Sequence, residues 1–191
     1  MKRTAKKAIV LIMSLVFTLT CTLNVFAAEP DANNSKIAAQ DAAIFEEIGD
    51  NGMVVIPNDQ LETPTYSGDI GVSTTEPDST PSGGITACGL NPPTTVWNIA
   101  SKGSYSFAGS ATGSTLYTNY KFTGKSRYEV KVVNNHSKTL KIICRTSGWS
   151  SFRTISLSGK STAYYTVSPS SSSTNWYIQF NAPSSFSGYV K

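Results

Sequence analysis

From about position 94 to the C-terminus, short runs rich in Val, Ile, Thr, Tyr and Phe recur at spacings of roughly eight to twelve residues. Gly, Ser, Asn and Pro separate them. Strands this short cannot bury an apolar side alone, so the pattern demands stacked or closed sheets. Strands are predicted at 94–99, 103–108, 115–122, 127–134, 139–146, 152–157, 161–167, 175–181 and 187–190. No long segment of helical period interrupts them, which argues against an α/β fold. The expectation is all-β, a single antiparallel β-sandwich of about eight or nine short strands. A stretch of about 100 residues suffices for one core.

The densest charge lies at 125–146, KSRYEVKVVNNHSKTLKIICRT, which reads as two strands and a polar tip. Side chains alternate along a strand. Tyr128, Val130 and Val132 therefore share one side, and Arg127, Glu129, Lys131 and Val133 the other. On the second strand Leu140, Ile142 and Cys144 face inward, while Lys141, Ile143 and Arg145 face outward. Paired as an antiparallel hairpin, the two strands would present Arg127, Lys131, Lys141 and Arg145 on one sheet face. Trp97 and Trp176 alternate with apolar residues and are expected in the core. Trp149 sits in the turn-like Ser147-Gly148-Trp149-Ser150 and is expected to be exposed.

The N-terminal part is of another kind. Lys2, Arg3, Lys6 and Lys7 precede the apolar run AIVLIMSLV, and Val25-Phe26-Ala27 fits a small-residue cleavage site. Residues 1–27 thus read as a secretory signal peptide. Residues 28–57 form an acidic segment with a predicted short helix at about 36–48 and a short strand at 53–56. Residues 58–90, rich in Pro, Ser, Thr, Gly and acids, read as a disordered linker. Residues 91–191 are the β-domain. Residues 28–90 hold eleven acidic residues against Lys36, and residues 91–191 hold eleven basic residues against Glu129. Such polarity concerns either a foreign partner or the chain's own two halves.

After signal removal two cysteines remain, Cys88 and Cys144. Secretion permits a disulfide between them. Closing a loop of roughly 55 residues would remove about 4 kcal/mol of unfolded-state entropy.

Catalytic patterns are missing from the β-domain. Its only histidine is His136, at the predicted tip, and its only carboxylate is Glu129. They do not make a triad, a carboxylate pair or a metal-ligand set. The expectation is a non-enzymatic module without metal or cofactor. Its basic face, Arg127, Lys131, Lys141 and Arg145 with Trp149 as an aromatic contact, would bind an anionic cell-wall polymer, a glycan or a lipid headgroup. No nucleic-acid motif is present. The chain's own acidic segment is a further candidate partner. Two other readings stand beside this one: a toxin-like protein with an acidic pro-segment, and a structural or assembly subunit.

Tyr117-Thr118-Asn119-Tyr120, Val132-Val133-Asn134-Asn135 and a late aromatic strand with Trp176-Tyr177 and Phe180 resemble the lactococcin-type bacteriocins. The resemblance covers about residues 114–181. It implies a small secreted β-sandwich that blocks wall synthesis by engaging the wall precursor, and it transfers no site residues. The long acidic segment, the expected disulfide and the scarcity of histidine depart from that family.

Overall fold

The computed structural model describes residues 32–50, 52–61 and 86–191. The expected signal peptide lies outside the described residues, as does most of the expected linker. Helix α1 (Ala32–Ile48) leads into β1 (Met53–Pro57) and one 3-10 turn, Asn58–Gln60. Then come β2 (Thr86–Ala87), β3 (Val96–Asn98), the one-turn helix α2 (Ile99–Lys102), β4 (Tyr105–Ala111), β5 (Leu116–Tyr117) and β6 (Lys121–Thr123). The chain ends with β7 (Tyr128–Asn134), β8 (Leu140–Thr146), β9 (Ser151–Leu157), β10 (Ser161–Val167), β11 (Trp176–Asn181) and β12 (Ser184–Val190).

Two sheets form. Sheet one runs β1-β10-β7-β12-β4-β2, and sheet two runs β3-β6-β11-β8-β9, with β5 also on β11. The all-β expectation holds, but the pairing is mixed rather than wholly antiparallel. β2 lies parallel to β4, and β3 parallel to β6. Each is a strip of two or three residues at the margin of its sheet. Long connections permit parallel pairing where tight hairpins do not.

Local chemistry sets several boundaries. The first expected strand of the β-domain stops at Asn98, whose Oδ1 accepts from the N–H groups of Ala100 and Ser101 and caps α2. The expected strand at 115–122 divides in two. Buried Thr118 takes the Ile178 N–H on its hydroxyl and donates to the Tyr120 carbonyl, which turns the chain there.

Inward-facing residues of both sheets share one core. Tyr128 of sheet one meets Trp176 of sheet two at 5.1 Å between ring centroids, and Phe186 stacks on Phe180 at 3.8 Å. Trp97 and Trp176 are buried and Trp149 is exposed, as the alternation and turn patterns predict.

The hairpin expected at 125–146 does not form. β7 pairs with β10 and β12, whereas β8 pairs with β11 and β9. The connection between them crosses from one sheet to the other. The inward residues expected of each strand are the ones observed: Tyr128, Val130, Val132, Leu140, Ile142 and Cys144 are all fully buried. They come from opposite walls of the core rather than one. Buried Asn134 holds the crossover. Its Nδ2 faces the carbonyls of Lys138, Leu157 and Ser158 at 2.9, 3.2 and 3.0 Å, and its Oδ1 accepts from the His136 N–H. His136 Nδ1 in turn accepts from the Lys138 N–H at 2.9 Å.

The expected disulfide is also absent: Cys88 and Cys144 are both free and buried. Cys88 follows β2 in sheet one, and Cys144 lies on β8 in sheet two. The domain entrance is pinned without a bridge. The Cys88 N–H donates to the Ala108 carbonyl, and Gly89 exchanges two backbone hydrogen bonds with Tyr117. Burial pushes the Cys144 thiol up to about 12 and raises that of Cys88 as well. Both are therefore poor thiolates at neutral pH.

Candidate functional site

Four cations were expected on one sheet face with Trp149 as an aromatic contact, and the structure separates these five residues into two groups. Arg127 and Lys131 belong to the outer side of sheet one. Lys141, Arg145 and Trp149 belong to sheet two and its β8–β9 turn.

The first group is covered by the acidic segment. Along α1, Ile37, Asp41, Ile44, Phe45 and Ile48 recur at helical spacing and are buried or half-buried, while Glu46 and Glu47 stay exposed. This stripe packs on sheet one. Ile44, Phe45, Ile56 and Tyr164 form a second apolar cluster outside the main core. The short strand expected at 53–56 forms as β1 at the edge of sheet one. Its residues lie antiparallel to β10, with Met53 opposite Tyr165 and Pro57 opposite Ser161. β10 is consequently buried on both faces along its whole length.

An acid sits inside the apolar stripe. Asp41 is 4% exposed. Both its oxygens lie 2.9 Å from Lys131 Nζ. The Tyr164 hydroxyl donates to Oδ1 at 2.7 Å, and the Tyr189 hydroxyl to Oδ2 at 2.9 Å. One carboxylate thus takes donors from β7, β10 and β12. A buried charge requires this degree of pairing. Burial, reinforced by the Asp41 charge, pushes both phenols far above the ordinary tyrosine value.

Two arginines complete the contact. Helix α1 has no basic residue in its last turn. Arg127 serves in its place, donating through Nη2 to the carbonyls of Phe45 and Gly49 at 3.4 and 3.2 Å. Its Nε lies 2.8 Å from Asp50. A cation at a helix C-terminus complements the orphan carbonyls and the macrodipole. Arg153 of β9 reaches across from sheet two, donating to the carbonyls of Thr166 and Gly52 at 2.7 and 3.1 Å. Neither Asp41 nor Arg153 was expected at a site. Asp41 had a legible signal, an acid four residues after Ile37 and four before Phe45. Arg153 had none, because its role depends on how the two sheets are stacked.

The second group faces solvent. Lys141 is exposed on β8. A β-bulge between Cys144 and Arg145 precedes the turn. Arg145 Nε donates to Gln179 Oε1 at 2.6 Å, and its Nη1 donates to the Trp149 carbonyl at 2.7 Å. The Trp149 N–H donates to the Thr146 carbonyl at 3.0 Å. Trp149 is 58% exposed and has φ of 67°, a left-handed backbone unusual for a bulky residue. Phe152 beside it is exposed too. The turn is thus held by hydrogen bonds, with the Arg145 guanidinium on the Trp149 carbonyl and the indole exposed.

Glu129, the one acid of the basic half, is paired with Arg127 at 3.4 Å and Lys191 at 3.2 Å. Among the described residues no group of three His, Cys, Asp or Glu is placed to hold a metal, and no helix is long and apolar enough to cross a membrane. No protein-family model matches the chain, and no curated protein matches it.

Proposed function

We propose that this chain is a secreted, non-enzymatic β-sandwich module that binds anionic surface polymers or glycans. Its working surface is the sheet-two side, with Trp149 as the aromatic contact and Arg145 and Lys141 as cations. The observation that carries this reading is the Trp149 turn. An exposed indole held at positive φ by hydrogen bonds is costly for folding alone, and strained exposed positions cluster at functional sites. Indole faces stack on sugars, and neighbouring cations attract phosphate or carboxylate groups. Arg127 and Lys131 contribute less, since the acidic segment already holds them.

The test is sedimentation with purified cell walls at rising salt, comparing the wild type with W149A and K141E. Retention should fall with salt and drop several-fold in both variants. Salt-independent retention, or full retention by W149A, would overturn the reading.

A second reading is favoured by the coverage of Arg127 and Lys131: a bacteriocin-like protein whose acidic segment masks its basic face. It expects the full chain, cut at an engineered protease site within 62–85, to inhibit susceptible cells more strongly than the uncut chain. Equal activity of the two forms counts against it.

A further inference from the structure

We propose that the unit formed by α1 and β1 is exchangeable between copies, so that sheet one of one molecule accepts this unit from a second copy of the chain. The inference concerns self-association and stands independently of the surface-binding reading.

The acceptor is a built site rather than a bare face. It offers a strand edge, β10, to which β1 adds antiparallel over five residues. It offers one carboxylate socket, made by Lys131 Nζ and the hydroxyls of Tyr164 and Tyr189. It offers Arg127 for the end of the helix and Arg153 for the Gly52 carbonyl. An edge strand with a complementary strand from elsewhere is the geometry of strand addition.

Three features make a second copy the fitting donor. The unit carries every feature that the acceptor reads, and each copy has both. The charges are complementary, with the acids concentrated in residues 28–90 and the bases in 91–191, so one copy's unit is attracted to another's face. The unit is tied to its own domain only through residues 62–85, roughly two dozen residues with a contour on the order of 80 Å. A tether of that length permits closure on the same domain or on a neighbour. An uncovered β10 would also leave a pairing edge and a buried lysine open, and a second copy's unit satisfies both.

Closure within one chain sets the competition. A unit joined to its own domain through about two dozen residues has an effective concentration there on the order of 1 mM, so the self-closed form should dominate at micromolar protein and lose ground near about 1 mM.

The experiment uses full chains carrying V55C or A163C, positions opposite each other in the β1–β10 register. Directly opposite side chains have Cβ atoms about 5 Å apart, within reach of a bond between introduced thiols. The two single variants are mixed, co-refolded from urea at about 10 μM or about 1 mM, and treated with a thiol oxidant. The V55C/A163C double variant is treated in parallel, with the wild type as background for the native thiols. The double variant should link within one chain at the low concentration. The mixture should yield a two-chain product linked between positions 55 and 163, at least ten-fold more abundant at the high concentration. Internal linking by the double variant with no two-chain product from the mixture at either concentration would overturn exchange. Failure of the double variant to link would overturn the β1–β10 register on which exchange depends.

Discussion

Asp41 and Lys131 stand ninety positions apart in sequence, yet both carboxylate oxygens lie 2.9 Å from the lysine nitrogen beneath helix α1. This pair joins the most acidic part of the chain to its most basic. It turns a charge imbalance visible in composition into one buried, fully bonded contact. The pair specifies where the helix sits more than it adds net stability, because desolvation offsets most of the attraction.

Breaking that pair on one side should be costly. D41A leaves Lys131 charged under the helix, and about 3–5 kcal/mol of stability should be lost. D41L/K131M, which removes both charges, should recover most of it. Urea denaturation of the three proteins checks this, and an equal loss in the single and double variants would contradict it.

The two phenols predict a loss of stability at high pH. Tyr164 and Tyr189 hold their protons more tightly folded than unfolded. Their contribution is fully present below the unfolded tyrosine value, about 10. Above it the unfolded chain releases protons that the folded chain keeps, so stability falls as pH rises. Denaturation midpoints between pH 8 and 11 should show the decline, and Y164F/Y189F should make it shallower. Some slope should remain, because burial raises Tyr128, Tyr165 and Tyr177 as well.

Removal of the Arg127 guanidinium should loosen one end of one helix. R127A takes away the donors to Phe45 and Gly49, and the cost should be about 1 kcal/mol given its partial exposure. Amide exchange should accelerate over the last turn of α1 and stay unchanged in β8 and β9. Uniform acceleration would mean that Arg127 supports the whole fold rather than the helix end.

Relief of strain should separate the Trp149 side chain from its backbone. W149G frees a left-handed residue and should raise stability by up to about 1 kcal/mol, while W149A should not. Both should lose retention on cell walls. Thermal melts and the sedimentation assay read the two effects on the same samples.

Much of the β-domain is legible along the chain because it follows from local alternation. The predicted strand at 161–167 is β10 residue for residue, and the inward sides of β7 and β8 match their expected members. What alternation cannot reveal is the partner of each strand. The polar stretch after Asn134 reads as a hairpin tip, yet the Asn134 side chain makes it an arch between sheets by binding the Leu157 and Ser158 carbonyls, which are remote in sequence. The expected basic face failed for that reason. Its four cations lie on two sheets.

That a β-domain follows an acidic segment, which residues of each strand point inward, and that the two parts carry opposite charge can all be read along the chain. These properties depend on residue type and on spacings of two or three to four positions. That β7 and β8 belong to different sheets, that Cys88 and Cys144 stay unbonded, and that α1 and β1 cover Arg127 and Lys131 emerge only in the folded chain. Those outcomes depend on strand pairing and on close approach of groups far apart in the chain, and a pairing energy has no value until both partners are placed.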